Sequence, residues 1–315
     1  MTENYFILEL TTSCNLDCIY CYNVWKENEH YSHKNPSLEE VKKIFRNFRE
    51  DSIIIGVTLA GGEPLLNDEI FDIASYLQSL NIKLNITTNG ILLTQEKVLR
   101  LINCGVRNFE VSMPTSDSAI FKKLCGSIDL KKVRAAILEI KKQNAKLSVA
   151  TVITKINFHE TYDIIEIAYA LGADYFMLNR FVPGGKGKEF LSQLKLNQSE
   201  IIQTLSEANK AARAFNIPVI IAIPVEHCIY DTSSFTKLNF GTCVCGDKKW
   251  VIDPWANLRC CEQNPQILGN LLSENFTSLI RKNEVKDFKI NNFSENCAEQ
   301  NCYSQCGGGC RFCRD

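Results

Sequence analysis

Short apolar runs alternate with amphipathic stretches through the first two-thirds of the chain. Tyr5 to Leu10 reads as a first strand, and a cysteine-bearing loop follows it directly. Pro36 and Ser37 open a helix in which Ser37 is the N-cap and Glu40, three residues on, completes a capping box. Ile53 to Leu59 reads as a buried strand that ends in Gly61-Gly62-Glu63-Pro64. A helix from about Glu69 to Ser79 leads to a strand over Leu84 to Thr88, which turns at Asn89-Gly90. Thr94 caps a helix ending at Cys104-Gly105, with glycine in the post-helix position. Strands are expected over 109–113, 147–153 and 175–179, with helices near 130–143 and 158–170, the latter stopped by Gly172. A further helix starts at Asn197, with Glu200 three residues on, and runs to about Phe215; Ile217 to Ile223 is a last apolar strand.

Six strands, each separated from the next by a helical pattern, indicate parallel βαβ units wound into a sheet or partial barrel with helices outside. In such barrels the chemistry gathers at the C-terminal ends of the strands. The cysteine loop, the Gly-Gly-Glu-Pro turn and Thr88-Asn89 all fall at ends of that kind.

At 315 residues, 45% hydrophobic and 23% charged, the chain has the composition of an ordinary globular protein of one large or two smaller domains. A net charge of −1 argues against a nucleic acid held through its phosphates. No apolar stretch reaches membrane-spanning length, and no basic-then-apolar export signal opens the chain. Fifteen cysteines without such a signal point to metal rather than disulfides, and to a reducing cytoplasm. Four histidines are too few for an imidazole-rich metal site.

The metal chemistry has two centres in the sequence. Cys14, Cys18 and Cys21 form C-x3-C-x2-C, three thiolates in eight residues. A complete iron–sulfur cube takes four cysteines, so three leave one iron open to an exogenous ligand. The competing reading is a structural zinc site completed by His30 or His33. Nine further cysteines follow position 240, a density that free surface thiols would not survive oxidatively. Zinc or iron–sulfur would each explain them. The glycine-rich loop Pro183 to Lys188 lacks the spacing of a P-loop, which excludes that reading.

The cysteine triplet, with Tyr20 as the aromatic before its last member, resembles the signature of the radical S-adenosylmethionine (AdoMet) enzymes. The resemblance implies a [4Fe-4S] cluster whose open iron chelates AdoMet and cleaves it to a 5′-deoxyadenosyl radical. Gly61-Gly62-Glu63-Pro64 is similar to the family's GGEP motif, implying backbone and glutamate contacts to the AdoMet amino group. Thr88 and Asn89 stand where the family contacts AdoMet on its third strand, and Ser112 where a fourth-strand side chain reaches the ribose. For Ser112 a plain strand-end turn role competes. Asn179-Arg180 ends the sixth strand, as in relatives whose arginine pairs with the AdoMet carboxylate.

The last third resembles a SPASM domain, the C-terminal module of many peptide-modifying members. Cys243 and Cys261 fit its first pair, with Ala256 where glycine is usual; Cys297, Cys306 and Cys310 fall in frame with its second group. Residue 300 of that group is Gln300, and Cys302 is expected to substitute; Cys313 follows Cys310 after a short gap. The resemblance implies one auxiliary cluster held by Cys243, Cys245, one of Cys260 or Cys261, and Cys310. Cys297, Cys302, Cys306 and Cys313 would hold a second. Cys104, Cys125, Cys228 and the unused member of the 260/261 pair are left over, Cys104 as a small core residue. Glu262 follows a cluster cysteine as an acidic residue does in sulfatase-maturating relatives, implying a catalytic role; a solvated carboxylate is the alternative.

The expected organisation is a partial (β/α)6 barrel over 1–223, a bridging segment over 224–239, and a Cys-rich iron–sulfur domain over 240–315. The resemblance implies an enzyme that abstracts hydrogen from a ribosomally made peptide, forming a thioether or carbon–carbon crosslink. Its expected electron source is a flavodoxin or ferredoxin. With the barrel starting at residue 5, a separate leader-recognition protein or the cleft itself is expected to present the peptide. The rivals are a peptide epimerase, a sulfatase-type maturase, a radical dehydrogenase of small aminocyclitol-like molecules, a non-catalytic iron–sulfur electron carrier, and a zinc-stapled binding module.

Overall fold

The structure is a computed structural model that describes residues 3–27, 31–48, 52–227, 229–290 and 306–313. Six strands run in chain order: β1 (Glu3–Glu9), β2 (Ile53–Ala60), β3 (Leu84–Thr88), β4 (Val106–Ser112), β5 (Lys146–Ile153) and β6 (Tyr175–Arg180). Each is parallel to its sequence neighbour, and β7 (Val219–Ile221) and β8 (Leu238–Phe240) extend the series past β6. The helices α1 (Leu38–Phe48), α2 (Ile70–Ser79), α3 (Gln95–Asn103), α4 (Ser118–Cys125), α5 (Leu130–Lys142), α6 (Thr161–Ala170), α7 (Leu191–Leu194) and α8 (Gln198–Phe215) lie between them in sequence. The sheet is open, so the protein is an α/β partial barrel.

Local chemistry explains several of these boundaries. Both expected capping boxes form: the Ser37 Oγ accepts from the Glu40 amide while Glu40 accepts from the Ser37 amide, and Asn197 and Glu200 do the same at α8. Strands alternate between two faces. On β1, Phe6 and Leu8 are fully buried among helices, whereas Ile7 and Glu9 face the cavity inside the barrel. Both faces being covered is what a parallel sheet requires.

The region after residue 240 is not a separate layer. β9 (Lys249–Ile252) pairs in parallel with β1, Tyr5 opposite Lys249, and β10 (Asn257–Arg259) and β11 (Gly269–Asn270) continue antiparallel to form one 11-stranded sheet. The segment expected as a bridge ends in β8, which pairs with β7. After β11 come α9 (Phe276–Ile280) and α10 (Asn283–Ile290). Phe276 of α9 packs 5.3 Å from Phe6 and 4.9 Å from Phe48 between ring centroids, with Trp250 edge-on at 5.6 Å. The Trp250 Nε1 donates to Asn4 Oδ1 at 3.0 Å. A buried ion pair at 2.5 Å, Arg259 Nη2 to Glu9, ties β10 to β1.

Ala256, standing where glycine is usual, has φ +67° in the turn between β9 and β10. A Cβ in the left-handed region costs roughly 1–2 kcal/mol. Ala256→Gly should therefore raise stability by about 1 kcal/mol, after allowing for glycine's larger unfolded-state entropy. The midpoint of urea unfolding checks it; an unchanged or lower midpoint at constant slope would show that the turn carries no strain.

Candidate active site

Cys14, Cys18 and Cys21 lie in the loop that leaves β1, and all three line one cavity of about 160 Å³ at the C-terminal ends of β1 to β5. Their loop is held by backbone bonds rather than by the thiols. Asp17 and Ile19 donate to the carbonyls of Cys125 and Leu124 at 3.2 and 3.0 Å, and Gly187 donates to Cys21 at 3.1 Å. The glycine-rich 183–188 loop is thus a clamp on the cysteine loop. A Cβ on Gly185, at φ +49°, would meet the Cys21 carbonyl at 2.7 Å. Lys186 pairs with Asp17 on the same loop.

The Gly-Gly turn after β2 abuts the loop from the other side. Gly62 N donates to Thr11 O and Glu63 N to Ser13 O, both at 2.8 Å. A Cβ on Gly62 would sit 2.1 Å from Ser13 O, so only glycine permits this approach. Gly61 and Gly62 line the cavity; Glu63 and Pro64 do not. The fully buried Glu63 carboxylate accepts from Thr88 Oγ1 at 2.7 Å, the Asn89 amide at 2.8 Å and the Leu65 amide at 3.3 Å. Burial pushes its pKa up to about 7 against those three donors. This side chain braces the ends of β2 and β3, and Pro64 starts the 3₁₀ turn Pro64–Leu66.

Thr88, Asn89 and Ser112 line the cavity. Asn89 Nδ2 donates to Asn15 Oδ1 at 2.8 Å and lies 4.0 Å from Cys14 Sγ. Tyr20 also lines it, its hydroxyl 3.6 Å from Cys125 Sγ. Asn179 and Arg180 do not line this cavity. Arg180 Nη2 instead donates to Glu226 at 2.9 Å and to the Pro224 carbonyl at 2.7 Å. Asn179 Oδ1 is buried without a partner among the described residues.

Glu262 does face the cavity, and it is no solvated carboxylate. Lys249 Nζ lies 2.6 Å away. Burial would raise the Glu262 pKa, but Lys249 outweighs it and holds the carboxyl below its ordinary range. Behind Glu262, ligand atoms of Cys245, Cys261 and Glu262 lie within 4.8 Å of one another. Cys243 is half-buried, and the Cys313 amide donates to the Cys310 carbonyl at 3.0 Å. The two candidates after β10 separate cleanly: Cys261 joins the thiol set, while Cys260 is fully buried near Gly246 and Phe288. Cys306 is buried and Cys313 half-buried, and Cys297, Cys302 and Cys228 lie outside the described residues.

The donor chemistry at Cys14, Cys18 and Cys21 suits an iron–sulfur cluster better than zinc. His33 is turned to Ser13 Oγ at 3.2 Å and does not line the cavity, so it supplies no fourth ligand; His30 lies outside the described residues. Residues 8–168 match the radical SAM superfamily. The chain belongs to that superfamily. The radical SAM fold implies an enzyme with a [4Fe-4S] cluster and AdoMet, and three cysteines beside a cavity fit both. A GTP 3′,8-cyclase from Clostridium perfringens is 31% identical over 66% of this chain and 63% of its own length. An AdoMet-dependent heme synthase from Methanosarcina barkeri is 28% identical over 65% of this chain and 58% of its own. The chain thus spans less than two-thirds of these relatives. Among solved structures, native anSMEcpe with bound AdoMet and Cp18Cys peptide superposes with TM-score 0.77 at 17% identity, covering 100% of this chain and 90% of that one. That likeness of fold includes the described residues of the cysteine-rich C-terminal region. Among the described residues no helix is long and apolar enough to cross a membrane.

Proposed function

We propose that this radical SAM enzyme abstracts hydrogen from a residue of a peptide and leaves the peptide oxidised by two electrons, as in a thioether or carbon–carbon crosslink. The observation that carries the reading is the thiol set behind Glu262: Cys245 and Cys261 gather around a carboxylate that faces the same cavity as Cys14, Cys18 and Cys21. In this reading residues 1–223 are the barrel and 240–315 a SPASM domain. Cys14, Cys18 and Cys21 hold the radical cluster. Cys243, Cys245, Cys261 and Cys310 would hold one auxiliary cluster, which would accept the second electron left on the substrate radical after hydrogen abstraction, and Cys297, Cys302, Cys306 and Cys313 would hold a second. When bound, the radical cluster and AdoMet supply a 5′-deoxyadenosyl radical.

The residues around the cavity do the rest. Gly61 and Gly62 would let the backbone approach AdoMet, Glu63 holds Thr88 and Asn89 in place, and Thr88, Asn89 and Ser112 would contact the cofactor. Glu262, kept ionised by Lys249, is placed to accept a proton from the substrate. Support against a nucleoside triphosphate comes from charge. Among the described residues Lys26 is the only cation lining the cavity, and Arg259 and Lys249 behind it are already paired with Glu9 and Glu262, so three phosphates would find little free positive charge to hold them. The free thiols suit a reducing cytoplasm, with a flavodoxin or ferredoxin as reductant and either a separate leader-recognition protein or the cleft itself presenting the peptide.

Candidate peptides deuterated at the reacting position provide the test. Deuterium should move into 5′-deoxyadenosine and the unlabelled product should lose two hydrogens in mass. Transfer with unchanged mass replaces crosslinking by epimerisation. Reaction of a small amine or sugar, with every peptide inert, overturns the peptide reading.

A further inference from the structure

The turn between α4 and α5 lies against the cysteine loop. Asp17 N donates to the Cys125 carbonyl at 3.2 Å and Ile19 N to the Leu124 carbonyl at 3.0 Å, so the residues flanking Cys18 are bonded to the end of α4. A Cβ on the exposed Gly126 would meet the Asp17 Cβ at 3.7 Å. The 183–188 loop covers Cys21 through the Gly187 amide, and the cavity occupies the inner side of the loop. Residues 126–129 thus join the chain around Cys18 to the outer surface. Ile128, in this turn, is 72% exposed, more than any other large apolar side chain among the described residues. Exposed lysines precede and follow it: Lys122 and Lys123 near the end of α4, Lys131 and Lys132 at the start of α5. The acids nearby are already engaged. Asp129 pairs with Lys132 at 3.0 Å, Asp117 caps α4 through the amides of Ala119 and Ile120, and Asp17 pairs with Lys186. Lys122, Lys123 and Lys131 have no acidic partner among the described residues. In a chain of net charge −1, this concentration of positive charge is local.

We infer that the α4–α5 turn is the docking surface for an acidic one-electron carrier protein, with Ile128 as its apolar centre and Lys122, Lys123 and Lys131 drawing the carrier in. An exposed apolar residue within a charged rim has the anatomy of a protein-binding patch. Charge complementarity selects the partner, since unpaired lysines speed and orient the approach of an acidic surface. Placement gives the contact its chemistry. The carrier is oxidised by one electron and the cluster held at Cys18 is reduced by one, with no atom or proton transferred. Entry from outside leaves the cavity to AdoMet and the peptide. The inference rests on the proposed cluster at Cys14, Cys18 and Cys21.

The test mixes the reconstituted protein with photoreduced flavodoxin in a stopped-flow instrument and follows cluster reduction. Lys122→Glu combined with Lys123→Glu should slow the reaction about tenfold at low salt, and the difference should shrink as salt is added and screens the steering. Ile128→Ser, which leaves the charge alone, should slow it at low and high salt alike. Lys210→Glu combined with Arg213→Glu, a charge reversal on the exposed face of α8, should leave the rate unchanged. Excess dithionite should reduce every variant to the same extent, with the same change in the electron paramagnetic resonance signal on adding AdoMet. An unchanged flavodoxin rate in the Lys122/Lys123 or Ile128 variant, or equal slowing in the α8 control, overturns the surface. If dithionite gives the unmodified protein no AdoMet-responsive signal, the cluster assignment itself is wrong and this inference goes with it.

Discussion

Replacing Cys14, Cys18 and Cys21 together with alanine should abolish 5′-deoxyadenosine formation while leaving the fold intact. The fold survives because the loop is anchored by main-chain bonds to Leu124, Cys125 and Gly187, none of which involves a thiol. Iron analysis gives the same variant a second readout. Three four-iron clusters correspond to about twelve irons per chain, so the variant should retain about eight. Undiminished AdoMet cleavage would remove the central claim. An unmodified protein with about eight irons would mean a single auxiliary cluster and a Cys302 that fails to replace the cysteine missing at position 300.

Arg259→Met should cost about 3–5 kcal/mol, the penalty for leaving one member of a buried ion pair without the other. Arg259 is 1% exposed, and its guanidinium serves Glu9 and the carbonyls of Glu262 and Asn264 at once. Burial raises Glu9 to a pKa of about 7 even with the arginine present, so its charge is poorly tolerated alone. Glu9→Leu combined with Arg259→Met should recover much of the loss, because a matched apolar pair avoids both desolvation penalties. Urea unfolding of the single and double variants measures both effects. A single-variant cost below about 1 kcal/mol would show that the pair behaves as a hydrated surface bridge.

How legible the molecule is from its sequence depends on the range of the interaction that decides each part. The strands β1 to β6 and the caps at Ser37 and Asn197 are set by local periodicity and by residues three apart, and the expected boundaries fall within a few residues of those observed. β9 to β11 are two to four residues long and owe their existence to β1, so no local pattern announces them. Arg180 was readable as a strand-end residue, but the direction of its guanidinium is decided by Glu226, 46 positions away. The Lys249 partner that makes Glu262 a buried ion rather than a surface one was equally invisible. α4 is different. Asp117 as cap, Phe121, Leu124 and Cys125 on one face, and Gly126 as stop were all present as local signals, and they lead to the turn against the cysteine loop.

The pairing of β1 with β9 also sets the order in which the protein can be made. As the chain emerges during synthesis, β1 appears first, and one edge of it has no partner until Lys249 and its neighbours arrive about 240 residues later. Contacts so far apart in sequence slow folding and leave an apolar strand edge open to other chains meanwhile. Phe6 and Phe48 likewise wait for Trp250 and Phe276 before their ring cluster is complete. A chain halted after the last barrel helix would carry every residue of the cysteine triplet and still present a bare edge. The edge of β1 is therefore closed only when Lys249–Ile252, from the cysteine-rich region, pairs with it.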